Sequence, residues 1–208
     1  RLCILHNICT SYFNLNPNGF NVEKIRKLSN EKVEIDIPCE DYIIHVGRFE
    51  QVKRHDRLFK IFSKANLPCK LVLIGSGSTK MQNKIQEMIC EFGLGAKVIL
   101  LGFQKNPYPY MKNAKLCILT SDYEGLPTVI CESLICGTPV VSTDCPSGPR
   151  EILIYKCARG LVPLDDIEAF VNTLKAVYYQ PYDIDEKVIE RFSIKNTVQK
   201  YLALVSEC

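Results

Sequence analysis

Short apolar runs, each closed by a small or turn-forming residue and separated from the next by a helix-length amphipathic segment, constrain this chain more than any other feature. From Asp41 onward they read "YIIHVG", a helix over 54–64, "KLVLIG", a helix over 80–92, "KVILLG", a short helix over 108–113, "KLCILTSD", a helix over 129–135, and "TPVVST". Runs that stay apolar without alternating belong to strands buried on both faces, and helical connections make such strands parallel with right-handed crossovers. The expected fold class is therefore α/β, a doubly wound parallel sheet of Rossmann-like type. Two further helices, over 167–178 and 195–204, close the chain. A length of 208 residues with 47% hydrophobic content is enough for one such core.

Residues 1–40 differ in character. The stretch "NLNPNGFNVEKIRKLSNEKVEIDIP" is rich in Asn and turn formers and carries one short helix over 22–28. It reads as the end of a preceding domain and an interdomain linker, leaving 41–208 as the ligand-binding domain with its C-terminal helices. The opening "RLCILHN" looks cut from something longer.

Composition narrows the partners. A net charge of +3, with Lys and Arg interspersed among Asp and Glu, demands no nucleic acid. The eleven cysteines are spread singly, without a C-x-x-C pair and with only three histidines to assist a metal, so neither a disulfide framework nor a zinc site is expected. Most sit in apolar runs, where a reduced thiol behaves as a small hydrophobe, and a cytoplasmic location is the expectation. No apolar run approaches the roughly 18 residues of a membrane span. Contact with a membrane surface, at its inner face, would have to come through a preceding domain.

Ligands of doubly wound sheets bind beyond the carboxyl ends of the strands, here marked by Gly47, Gly75-Ser76-Gly77, Gly102, Ser121-Asp122 and Thr143-Asp144. The "GSGSTK" segment lacks the third glycine of a dinucleotide fingerprint, and no P-loop motif occurs. In "HVGRFEQVKRHDRL", Gly47 ends the first strand, Arg48 follows it, and Lys53 stands just before the next helix. Two cations beside helix N-terminal N–H groups suit a diphosphate. The rival reading is a solvated basic pair.

A second stretch, "SDYEGLPTVICESLICGTPVV", sets Glu124 in a turn, continues through Gly125 and Leu126, and opens a helix at Pro127 and Thr128 with Glu132 one turn inside. The helix N–H groups and the Thr128 hydroxyl can also face a phosphate. The two carboxylates stand roughly 10 Å apart if half the span is helical. Each accepts two hydrogen bonds, which suits vicinal diols. A molecule with a diol at each end and a diphosphate between them is a nucleotide sugar.

Taken in this order, "GRF" with Lys53, "LVLIGSG", "VILLGF", the E-x7-E element from Glu124 to Glu132, "CGTPVVSTDCPSGPREIL" and "GLVP" resemble the retaining glycosyltransferases of the GT-B fold in family four, glycosyl transferases group 1. The resemblance covers about residues 15–205 and implies the C-terminal, donor-binding half of a GT-B enzyme. It implies that Arg48 and Lys53 hold the donor diphosphate, Glu124 the sugar hydroxyls, Glu132 the ribose diol, and Phe103, or backbone near it, the base. A core aromatic is the competing reading of Phe103. The implied reaction is transfer of a hexose, with retention and front-side displacement, from a uridine-linked nucleotide sugar to a glycan or lipid-linked acceptor in surface polysaccharide assembly. No metal or further cofactor is implied, since Arg48 and Lys53 would stabilise the departing diphosphate; Glu124 as covalent nucleophile is an alternative.

The acceptor site and a catalytic-site histidine belong, in that family, to an N-terminal domain, so this chain by itself is expected to be inactive. His6 reads as part of the last strand of that domain, His45 as core, and His55 as a solvated helix residue. Two alternatives stay open: a nucleotide-sugar epimerase of similar fold, and a non-catalytic nucleotide-sugar-binding module.

Overall fold

A computed structural model describes residues 19–38 and 41–206. His6 and Cys3, Cys9, Cys39 and Cys208 lie outside them. Six parallel strands run in the order β3-β2-β1-β4-β5-β6: β1 (Tyr42–Val46), β2 (Lys70–Ile74), β3 (Val98–Gly102), β4 (Leu116–Leu119), β5 (Val140–Thr143) and β6 (Leu161–Val162). The chain winds outward from β1 to β3, returns to lay β4 beside β1, then winds outward the other way. Right-handed crossovers put the helices of the two halves on opposite faces.

The helices are α1 (Val22–Leu28), α2 (His55–Ala65), α3 (Thr79–Glu91), α4 (Tyr108–Asn113), α5 (Thr128–Ile135), α6 (Pro149–Ile152), α7 (Ile167–Tyr179), α8 (Glu186–Arg191) and α9 (Ile194–Ser206). Packing follows the two halves: α2 meets α3 and α7, while α5 meets α1, α4 and α8. Covered on both faces, β2, β4 and β5 are buried almost throughout, and β3, at the sheet edge, only partly. That is why these strands are continuously apolar.

Local chemistry sets the boundaries. In α2 the buried Leu58, Phe59, Ile61, Phe62 and Ala65 form one helical stripe, and Asn66, at φ 45°, ends it in the left-handed region. The side chains of Ser78, Asp166 and Asp185 accept first-turn N–H groups of α3, α7 and α8. The expected helices recur within one or two residues of their predicted ends. Three elements were not expected: α6, β6 and α8, each of six residues or fewer and too short for periodicity to show. Within the span read as linker, α1 packs on α4 and α5, and Phe20 exchanges backbone hydrogen bonds with Phe192 (2.7 Å) and Ile194 (2.9 Å).

The strand order reverses between β1 and β4, so the crevice of such a sheet opens where those two strands end. One glycine pair shapes its neighbour. A Cβ on Gly75 would lie 1.8 Å from the Gly47 carbonyl oxygen, and one on Gly77 2.5 Å from that of Phe49, whose own N–H donates to Ser76 at 2.7 Å. These glycines allow the loops after β1 and β2 to touch.

Candidate functional site

At the reversal point the loops after β1 and β4 are bonded to one another. The Asp122 N–H donates to the Val52 carbonyl at 3.0 Å, and the Thr120 hydroxyl to the Lys53 carbonyl at 3.1 Å. Through them the Lys53 ammonium reaches both oxygens of Glu124, at 2.7 and 3.0 Å. The Ser121 hydroxyl donates to the same carboxylate at 2.6 Å. Both side chains are largely removed from water, Lys53 at 19% and Glu124 at 9% exposure, so the pair is much less screened than a surface ion pair.

A second layer supports this one. Arg54 sits at φ 50°, in a left-handed conformation that costs about 1–2 kcal/mol for a residue with a Cβ. Its guanidinium grips Asp122 at 2.8 and 2.9 Å and Asp56 at 2.8 Å, and these charge-assisted bonds hold it there and keep its pKa raised. The buried Arg57 adds a pair to Asp122 at 2.8 Å, a bond to the Thr120 carbonyl at 3.0 Å, and a longer pair to Asp165 at 3.6 Å. Asp122 thereby anchors the turn that carries Glu124.

The other expected residues take varied places. Gly47 directly follows β1, in the touching loops. Arg48, 80% exposed, pairs with Glu50 at 3.0 Å and borders a cleft of about 500 Å³ with Phe49, Ser76, Gly77, Ser78 and Met81; among the described residues its ion pair is with Glu50 and not with Glu124. Gly125 and Thr128 are exposed and Leu126 is half-buried, all on the turn into α5. Glu132 lies half-buried beside Tyr108, whose hydroxyl donates to it at 3.4 Å. Burial raises the Glu132 pKa and pushes Tyr108 up to about 12, with Glu132 assisting. Phe103, just past β3, is 74% exposed, which overturns its reading as a core aromatic.

His55 is a clear correction. It is buried at 3% exposure, packed edge to face against His45 (5.1 Å between centroids) and Phe49 (5.3 Å). The residue opens α2 beneath the loop after β1, on the same helix face as Leu58, Phe59 and Phe62, a spacing that the reading as a solvated residue overlooked. His45 is buried in β1, as expected of a core residue. Sequence reading missed Arg54, Arg57 and Tyr108, and gave Ser121 and Asp122 no role beyond marking a strand end. The turn position of Ser121 and Asp122 gave a signal for such a role, whereas the left-handed Arg54 has no sequence signal.

Burial raises the pKa of Cys117 and Cys136, each to about 12, and that of Cys131 further. The chain does hold one Asp-x-Asp triplet, Asp183 to Asp185, so the absence of that motif is no argument for metal independence. Here Asp183 pairs with Lys156 and Asp185 caps α8. Among the described residues no helix is long and apolar enough to cross a membrane.

One loop makes a direct test of this geometry. Gly148, at φ 94°, has the Pro127 ring 2.3 Å and the Gly125 carbonyl 2.5 Å from where a Cβ would stand, and the neighbouring Ser147 hydroxyl donates to the Glu124 carbonyl at 2.6 Å. Gly148→Ala is expected to cost about 1–3 kcal/mol in urea unfolding by displacing the turn after Glu124. Unchanged unfolding would show that the turn yields freely.

Known proteins share this architecture. A lipopolysaccharide 1,6-galactosyltransferase of Salmonella typhimurium is 34% identical over 184 residues, covering 83% of this chain and 50% of its own. The N-acetylgalactosamine-N,N'-diacetylbacillosaminyl-diphospho-undecaprenol 4-alpha-N-acetylgalactosaminyltransferase of Campylobacter jejuni is 31% identical over 195 residues, covering 89% and 52%. The solved apo form of the lipopolysaccharide outer core galactosyltransferase WaaB superposes with a TM-score of 0.72 at 28% identity, over 82% of this chain and 50% of that one. The chain spans about half the length of these curated relatives. The family model described as glycosyl transferases group 1 matches residues 29–193, and the chain belongs to that family.

Proposed function

We propose that this chain is the donor-binding half of a retaining hexosyltransferase that moves a sugar from a uridine-linked nucleoside diphosphate sugar to a glycan or lipid-linked acceptor. The observation that carries the reading is the meeting of Lys53 and Glu124, delivered from two separate strand ends to the reversal point of the sheet. An ammonium there can take a phosphate oxygen, and a carboxylate beside it can accept sugar hydroxyls. Negative charge on the departing diphosphate is greatest in the transition state, so a cation at this point favours bond breaking more than ground-state binding. Glu132 serves the ribose diol, exposed Phe103 offers a face to the base, and Arg48 reaches the diphosphate from the rim. Gly47 and the Gly125, Leu126 and Thr128 turn let ligand approach the backbone. The Salmonella and Campylobacter relatives, named for sugar transfer in surface-glycan assembly, favour an acceptor of the same class, bound by a partner domain at the cytoplasmic membrane face.

Calorimetric titration of the chain with uridine, UDP and a panel of UDP-hexoses tests this. Binding is expected to need the diphosphate and to be weakened by salt, with no sugar transfer by residues 1–208 alone. Equal affinity for uridine and UDP would sink the proposal. Glu132→Ala is expected to weaken UDP and UDP-hexose alike by about tenfold, since a charge-assisted bond to ribose is common to both. A loss confined to the UDP-hexose would place Glu132 at the sugar end.

A further inference from the structure

The cations of the two loops are already held by carboxylates: Arg48 by Glu50, Lys53 by Glu124, Arg54 by Asp56 and Asp122, and Arg57 by Asp122 and Asp165. Residues 48–57 and 122–124 therefore hold four cations against the four carboxylates of Glu50, Asp56, Asp122 and Glu124, a net charge of zero. The diphosphate of a sugar nucleotide carries two negative charges near neutral pH. Rearranging ion pairs can free donors to meet it but adds no positive charge.

Two ionisable groups that hold no charge lie directly beneath. His45 on β1 and His55 at the start of α2 bracket the loop that carries Arg48 and Lys53, and are 1% and 3% exposed. His45 Nδ1 faces the Ile118 carbonyl at 2.9 Å, so it donates its proton there and leaves a lone pair on Nε2. Both Nε2 atoms are buried without a hydrogen-bond partner among the described residues. Unpartnered buried polar atoms are uncommon, and here two belong to rings packed edge to face. A Cβ on Gly47 would stand 3.6 Å from His45 Nε2 and 3.9 Å from Lys53 Cε, so this lone pair lies on the Lys53 side of the loop. Lys53 and Glu124 act electrostatically on His45, Asp56 and Lys53 act on His55, and the two rings act on each other.

We propose that the His45–His55 pair is a proton-accepting element of the donor site: a nucleoside diphosphate sugar bound at Lys53 draws a proton onto the pair, so donor binding and proton uptake are coupled. This rests on the donor-binding reading. In the folded chain burial holds both rings neutral, His45 at about 4 and His55 at about 3, with Lys53 adding to both. A single charge about 6 Å away, in surroundings of effective dielectric about 20, moves such an equilibrium roughly a hundredfold. Two phosphate charges are thus enough to bring a ring to its titration range near pH 6–7. The step balances: a buffer acid or hydronium gives up its proton, an imidazole lone pair takes it, and the proton returns to solvent when the diphosphate leaves.

Calorimetry of the chain with UDP-glucose at pH 6.5, in buffers of differing ionisation enthalpy, reads the exchange, because this diphosphate has no ionisation of its own nearby. The expected slope corresponds to uptake of roughly half to one proton, and affinity should tighten by up to about tenfold for each unit of pH lowered between 7.5 and 6. Uridine should show no uptake. His45→Phe and His55→Phe keep the ring packing, and at least one of them should flatten the slope. Imidazole nitrogen shifts of the wild-type chain, with and without UDP-glucose, report the same proton without any variant. Binding with no buffer dependence and unmoved imidazole shifts overturns this inference and leaves the donor site standing, as does a slope that persists in both variants. No binding of UDP-glucose overturns both.

Discussion

Lys53→Ala is expected to lower folding stability by about 3 kcal/mol and to weaken UDP binding by about a hundredfold or more. The two losses have separate causes. Removing the ammonium leaves the Glu124 carboxylate, 9% exposed, with the Ser121 hydroxyl as its remaining side-chain donor. An uncompensated buried charge is more costly than the pair was favourable; the partial exposure of Lys53 puts the figure at the lower end of the range. Binding falls because the phosphate oxygens lose their cation. The double variant Lys53→Met/Glu124→Gln separates these effects, since it removes both charges together. It should recover most of the stability and none of the UDP affinity. Lys53→Arg should also bind poorly, because a planar fork presents its donors to a phosphate oxygen in different directions from a point-like ammonium. Arg48→Ala, at an 80% exposed side chain, should change stability by no more than about 0.5 kcal/mol while still weakening UDP binding. Urea unfolding paired with calorimetry reads all four variants. UDP affinity unchanged in Lys53→Ala would remove the electrostatic basis of the donor site.

Acidification is expected to have the second large effect. His45 and His55 are held neutral by burial, His45 at about 4 and His55 at about 3, against about 6.5 in an unfolded chain. Between these values the unfolded state binds more protons than the folded one, so stability falls as pH falls. The loss begins near pH 6.5 and continues to about 4 for His45 and 3 for His55. At pH 5 each histidine accounts for about 2 kcal/mol. Glu132 opposes them: burial raises its pKa, so it favours the folded state as pH falls through the carboxylate range. Urea midpoints of the ligand-free chain from pH 7.5 to 4.5 should therefore drop steeply below 6.5, and His55→Phe should remove part of the slope. A flat profile between 6.5 and 5 would mean that the rings are hydrated in solution. Because a bound donor would share this proton, UDP-glucose should protect the chain most at low pH.

What could be read in the residues and what could not divide along physical lines. Continuous apolar runs such as "KLVLI" and "LCIL" specify strands covered on both faces, and the amphipathic segments between them specify parallel crossovers, so the doubly wound sheet followed from local pattern. The small residues at strand ends, with Lys53 and Glu124 among them, marked the ligand edge for the same reason: strand direction is implied once the connections are helical. The partnership of Lys53 with Glu124 was another matter. It depends on β4 returning beside β1, which places residues 71 apart in sequence within a hydrogen bond of each other. No periodicity carries strand order. Burial of His55 was legible only in part: Leu58, Phe59 and Phe62, three, four and seven residues further on, put it on the buried face of its helix, but its cover at the helix start comes from Phe49 and His45, which local sequence does not place there. Local sequence determined which elements form; the long-range packing of β1 against β4 decided which charges meet, because a charge's surroundings are set by whatever segment lies across from it.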